Sequence, residues 1–207
     1  MLSSIKKYSF RKFRDSETKR HELNYLFWEC TTRCNLNCLH CGSDCSKDSL
    51  HRDMPAEDFF QAIDTIENIP QNFTVVFTGG EPLLRKDIEL CGKELRKRGF
   101  KWSIVSNGHL YDKQRHISLL NAGIGALTIS LDGLKESHNW LRNNEKSFDK
   151  VINAIELASS SNRINFDIVT CVNQKNINEL EQIRELLISK NVKAWRLFTI
   201  IPIGRAV

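Results

Sequence analysis

From residue 25 onward the hydrophobic and polar positions switch between two periods. Short apolar runs read as strands at Tyr25 to Glu29, Phe73 to Phe77, Trp102 to Val105, Leu127 to Ser130, Phe166 to Cys171 and Ala194 to Ile201. Between them apolar residues recur at helical spacing. The first predicted helix runs from Pro55, a good first-turn residue, to Asn68, with Phe59, Ile63 and Ile66 on one face. Others run from Lys86 to Arg98, closed by Gly99, from Asp112 to Asn121, from Phe148 to Ser159 and from Ile177 to Lys190. Every predicted strand but the last is followed by a helix.

Repeated strand-helix units with short connections imply parallel strands and right-handed crossovers. The expected fold is α/β: a partial (βα)6 TIM-like barrel with parallel strands and outer helices, the sixth helix missing. A flat doubly wound sheet has the same order of elements and stays open at this point. In either arrangement ligands collect at the C-terminal ends of the strands, so a chemical motif should fall just after one.

With 207 residues the chain can bury roughly 70% of its unfolded surface in one core. The expected organisation is an arm over residues 1–24 and a core domain over 25–207. A hydrophobic content of 41% beside 27% charged residues excludes a disordered tail or a fibrous repeat. The longest apolar runs, such as Leu197 to Ile203, fall far short of the ~20 residues that span a bilayer. The net charge of +5 resides in residues 1–20, with seven basic and two acidic side chains, and the remainder is neutral. A nucleic-acid groove across the body is therefore disfavoured. Leu2, Ile5, Tyr8, Phe10 and Phe13 among the basic residues of 1–20 allow a weak contact with an acidic membrane surface, or an arm beside the barrel with solvated charges.

Seven cysteines, five of them between Cys30 and Cys45, change the picture. They are odd in number and no signal peptide precedes them, which suits a metal or cluster site in the reducing cytoplasm better than a disulfide framework. Directly after the first strand stands Cys34-x3-Cys38-x2-Cys41. Soft thiolates this close converge on a soft metal or an iron-sulfur cluster. Three ligands on a four-iron cluster leave one iron open for chemistry. The same loop admits other outcomes. Cys45 can close the cluster as a fourth ligand, as in an electron carrier, a zinc site can form with His40 or His51, or the thiols can remain free. Cys30 and Cys91 read as core residues, and Cys171, ending the fifth strand, as a small buried side chain.

After the second strand comes Gly79-Gly80-Glu81-Pro82. Its glycines let backbone approach a ligand and its carboxylate suits an amino group. The cysteine loop, the ring of His40 before the third cysteine and this motif together resemble the radical SAM superfamily, over residues 25 to 206. The resemblance implies one 4Fe-4S cluster on Cys34, Cys38 and Cys41, with S-adenosylmethionine (SAM) on the open iron. It implies His40, Gly79, Gly80, Glu81, Asn107, Ser130, Arg142 and Ile203 as SAM-binding residues, with Ile203 on adenine. It further implies a flavodoxin- or ferredoxin-like electron donor.

His138-x3-Arg142 and the ending Ile201-Pro202-Ile203-Gly204-Arg205-Ala206 are similar to the peptide-modifying and sulfatase-maturing branch, which points to a peptide or protein substrate; a small molecule or RNA is the alternative. The segment from Phe27 to Cys45 resembles the group associated with small lipoproteins. Asn143 stands where glycine is frequent, leaving a solvated Arg142 open, and Asp132 reads as a turn aspartate. The branch's cysteine-rich C-terminal extension is not expected here, nor a second cluster of its type.

Overall fold

A computed structural model describes residues 2–20, 23–70 and 73–207. Six strands form one sheet: β1 (Tyr25–Thr31), β2 (Thr74–Gly79), β3 (Lys101–Ser106), β4 (Ala126–Ser130), β5 (Asn165–Val172) and β6 (Trp195–Thr199). All neighbouring pairs are parallel and the order in space is the order in sequence. A doubly wound sheet would reverse direction at a switch point, and none is present. The sheet is the open barrel that the alternation of periods predicts.

The helices are α1 (Leu2–Arg20), α2 (Ala56–Asp64), α3 (Ile88–Lys97), α4 (Lys113–Asn121), α5 (Lys135–Arg142), α6 (Ser147–Ser159) and α7 (Leu180–Ser189). Phe73 just before β2, Val75 and Phe77 of β2, Trp102 and Ile104 of β3, and Leu127 and Ile129 of β4 bury against Phe59, Ile63, Leu95, Leu119 and Ile155 from the helices. Trp28 stacks on Phe59 with ring centroids 3.7 Å apart.

Three expectations change. Helix α2 starts after Pro55, which caps it from extended backbone, and it ends before Asn68, whose φ of 55° is left-handed. Helix α5 was not predicted because its buried face is largely polar, comprising Ser137, His138, Leu141 and Arg142. The apolar period that marks a helix is missing from such a face. Helix α1 is exposed from Ile5 to Lys19, apart from a half-buried Ser16. At ~100° per residue its exposed Ile5, Tyr8, Phe10 and Phe13 spread around more than half of the circumference instead of forming one apolar face. No described helix is long and apolar enough to cross a membrane.

Candidate functional site

The site begins where β1 ends. The pairing of β1 with β2 slips register between Glu29 and Thr31. The chain then turns into a loop closed by a bridge between Arg33 and Ser46, in which the Cys34 amide donates to the Ser46 carbonyl at 2.9 Å. This loop rests on the end of β2. The Gly80 amide donates to the Thr31 carbonyl at 2.7 Å and the Glu81 amide to that of Arg33 at 2.9 Å. A Cβ on Gly79 would overlap the Thr31 oxygen, and one on Gly80 the Arg33 oxygen. The two glycines thus admit the backbone of the cysteine loop itself.

The Glu81 carboxylate is committed within the protein. It accepts from the Leu83 amide at 3.1 Å, the Ser106 hydroxyl at 2.9 Å and the Asn107 amide at 2.8 Å, and is fully buried. Burial pushes its pKa upward, against those three donors and Arg142. It caps the short 3-10 turn Pro82–Leu84 and ties the end of β2 to the end of β3.

Cys34, Cys38, Cys41 and Cys45 face one cavity, together with His40, Thr78, Gly79, Gly80, Val105, Ser106, Asn107, Ser130 and Arg142. All seven cysteines are free thiols. Burial pushes the Cys34 thiol up to about 11, so binding a metal there releases a proton. Two cysteine sulfurs receive polar contacts: the Asn107 amide nitrogen lies 3.9 Å from Cys34 Sγ and the Arg142 guanidinium 3.7 Å from Cys38 Sγ. Asn107 also donates to the Asn35 side chain at 2.8 Å. Asn35 Nδ2 and His40 Nδ1 are buried without a protein partner. Clustered soft donors beside orphaned polar atoms fit an iron-sulfur cluster with a polar ligand next to it.

Beside the thiols Arg142 forms a buried ion pair with Asp132. Arg142 Nε donates to Asp132 Oδ2 at 2.6 Å and a terminal nitrogen pairs with the same oxygen. Asp132 Oδ1 accepts from the Cys171 amide at 2.8 Å, and Asn176 donates to the Asp132 carbonyl at 2.6 Å. Burial opposes the charge on both partners, but their mutual attraction wins: it holds the carboxyl below its ordinary range and the guanidinium above its own. Arg142 is neither solvated nor at the surface, and Asp132 is no ordinary turn residue.

His138 braces this pair. Its Nδ1 lies 3.0 Å from the Asp132 amide and its Nε2 3.0 Å from the Ser147 hydroxyl. The amide can only donate, so Nδ1 is the acceptor and the ring proton sits on Nε2. Burial, and then the charge of Arg142, push its pKa down to about 3. Below pH 6.5 the unfolded chain takes up a proton here and the folded chain does not, so stability falls with pH until about pH 3. The expected loss between pH 7 and pH 4 is about 3 kcal/mol. His40, pushed down to about 4 by burial and Arg142, adds to the same slope. Urea midpoints measured against pH should flatten in His138→Asn; an unchanged slope would locate the proton uptake elsewhere.

Of the residues anticipated from the sequence, Cys34, Cys38, Cys41, His40, Gly79, Gly80, Asn107, Ser130 and Arg142 meet at this cavity. Glu81 stands behind it. Ile203 is about half exposed and lies over Gly42, where an added Cβ would come within 3.1 Å of its side chain. Thr78, Cys45, His138 and Asn176 were not singled out as site residues. Cys45 carried a signal through its spacing in the cysteine run, and His138 through its spacing to Arg142.

A parallel open barrel with a thiol-lined cavity at the C-terminal ends of its strands defines a class, the α/β proteins built around a soft-metal centre. Within that class the chain belongs to the radical SAM superfamily, whose family model matches residues 28–187. Members of this family use a 4Fe-4S cluster and SAM. The chain is 28% identical over 182 residues to AdoMet-dependent heme synthase of Oleidesulfovibrio alaskensis, covering 87% of this chain and 46% of the relative. It is 32% identical to GTP 3',8-cyclase of Campylobacter jejuni subsp. doylei, covering 84% and 54%. The chain thus spans about half the length of these curated relatives. The crystal structure of Streptococcus suis SuiB bound to its precursor peptide SuiA superposes with a TM-score of 0.71 at 16% identity, covering 93% of this chain and 43% of SuiB. At that identity the likeness is one of fold.

Proposed function

We propose that the chain is the catalytic core of a radical SAM enzyme, with the cluster on Cys34, Cys38 and Cys41. The observation that carries this is the convergence of these thiols with Gly79, Gly80, Asn107, Ser130 and Arg142 on one cavity. Cys34, Cys38 and Cys41 would hold the cluster, which would supply the one-electron reductive cleavage of SAM and, through it, hydrogen-atom abstraction from a substrate.

The protein's part is to hold and orient. With the Glu81 carboxylate turned away, the methionyl ammonium meets the main chain of Thr78 to Gly80, and Glu81 acts by fixing that segment against β3. Arg142 offers a guanidinium held in place by Asp132 to the carboxylate of SAM. Asn107 and Ser130, at the ends of β3 and β4, suit the ribose, while His40 and Ile203 flank the adenine. A flavodoxin- or ferredoxin-like donor supplies the electron, because this chemistry needs the low end of cluster potentials. Seven cysteines without a disulfide suit a reducing cytoplasm, and this supports the same reading.

The substrate we favour is a peptide or protein. The SuiB structure, which shares this fold, was solved with its precursor peptide SuiA, and this supports the reading. A small molecule is the second reading, favoured by the heme synthase and the GTP cyclase among the relatives. The test is anaerobic cluster reconstitution followed by dithionite and SAM. Formation of 5'-deoxyadenosine, detected by mass spectrometry, is the expected result, and its absence from a chain that holds a cluster would overturn the proposal.

A further inference from the structure

We infer that Cys45 is a fourth, exchangeable ligand of the cluster, closing the site when SAM is absent and giving way when SAM binds. This rests on the radical SAM reading above.

The thiol is in place. Cys45 is 4% exposed, packs with Cys34, Cys38 and Cys41 apart from the main core, and lines the same cavity. Its thiol donates to the Ser43 carbonyl at 3.8 Å, within the same loop. Its cluster is four cysteines around the single aliphatic side chain of Leu36, whereas Cys30 and Cys91 lie among the aliphatic and aromatic side chains of the main core.

The backbone is built to keep it there. On one side Ser46 accepts from the Cys34 amide at 2.9 Å. On the other, Asp44 turns the chain with a left-handed φ of 49°, which aspartate tolerates better than most residues. Arg205 clamps this turn, donating to the Cys45 carbonyl at 3.1 Å, to the Cys38 carbonyl at 2.8 Å and to Asp44 at 2.5 Å. The Arg205 amide donates to the Cys41 carbonyl at 3.0 Å. One arginine thus binds the segments of the second, third and fourth cysteines together.

Four thiols are the usual complement of a 4Fe-4S cluster, and a four-iron cluster held by three is exposed to loss of its open iron. In the exchange one iron–sulfur bond to Cys45 breaks, the ammonium of SAM gives up one proton and the freed thiolate takes one up, the resulting amine and the carboxylate of SAM take the place of the sulfur, and no electron moves. SAM competes with the cap, so its apparent affinity is reduced by the fraction of sites that are closed.

The test compares the reconstituted wild-type chain with Cys45→Ala and, as a closer match in shape, Cys45→Ser. Circular dichroism of each verifies folding. Without SAM, mild ferricyanide oxidation should convert the variants to the 3Fe-4S form, followed by electron paramagnetic resonance, about tenfold faster than wild type, as expected when a ligand-shell group is lost. Their dissociation constants for SAM should tighten about tenfold as the closed fraction disappears. Equal conversion rates and equal affinities would overturn the inference while leaving the radical SAM reading intact. So would loss of iron from both variants to the level of Cys38→Ala, because Cys45 would then be a permanent ligand. A wild-type cluster whose spectrum ignores SAM and yields no 5'-deoxyadenosine overturns the reading itself, and this inference with it.

Discussion

Replacement of Cys38 by alanine is expected to leave the chain folded and without a cluster. Cys38 belongs to the small group of thiols around Leu36, separate from the main core of β-strands and helices, so removing one sulfur costs the fold on the order of 1 kcal/mol. Its effect on the metal centre is far larger. Groups that only orient a metal's ligands are worth 10- to 100-fold in affinity, and a direct ligand should exceed about 100-fold. Iron content, visible absorbance and 5'-deoxyadenosine should therefore all fall to background in Cys38→Ala, while the thermal midpoint of the cluster-free chain barely moves. A variant that keeps its iron and still cleaves SAM would show that the cluster sits on other thiols.

Asp132→Ala should be the most damaging substitution to stability in the polar part of the site. It leaves Arg142 buried without its counter-charge, and breaking such a pair from one side costs about 3–5 kcal/mol. Further partners are lost with it: the Cys171 amide, 2.8 Å from Asp132 Oδ1, has no other acceptor from that side chain. Removing both charges, in Asp132→Ala with Arg142→Leu, should cost less than the sum of the single changes, because no lone charge remains. Denaturant unfolding of the four chains measures this coupling. A loss below about 1 kcal/mol for Asp132→Ala would mean the guanidinium finds water instead. The same substitution frees Arg142 to turn, so SAM affinity should fall even where the chain stays folded.

The parts of the site that the sequence made legible are those with fixed local spacing. Three thiols over eight positions can share one metal centre as soon as their loop turns, since even the extended segment spans only about 25 Å. Strands and helices were legible wherever burial is apolar, as in β2 with Val75 and Phe77 or α6 with Val151 and Ile155. Helix α5 was hidden because its inward side chains are Ser137, His138 and Arg142, the residues that elsewhere mark a solvated face.

Glu81 shows a second kind of limit. Its presence in a ligand-binding motif says that a carboxylate is available there, whereas its direction depends on where the Ser106 hydroxyl and Asn107 amide arrive from β3. The pair of glycines is similar. Sequence supports a close approach, but the partner in that approach is the backbone of Thr31 and Arg33.

By itself, then, the sequence determined the alternation of strands and helices, the cysteine loop after the first strand and the family to which those residues belong. Each of these is written in neighbouring positions. Only the tertiary structure decided that Arg142 is buried on Asp132, that Glu81 faces away from the cavity and that Cys45 joins the other thiols under Arg205. Those outcomes are choices among polar partners far apart in the chain. Apolar periodicity records how much of a segment is buried, whereas which donor meets which acceptor is set only when the strands pair and bring their ends to one rim.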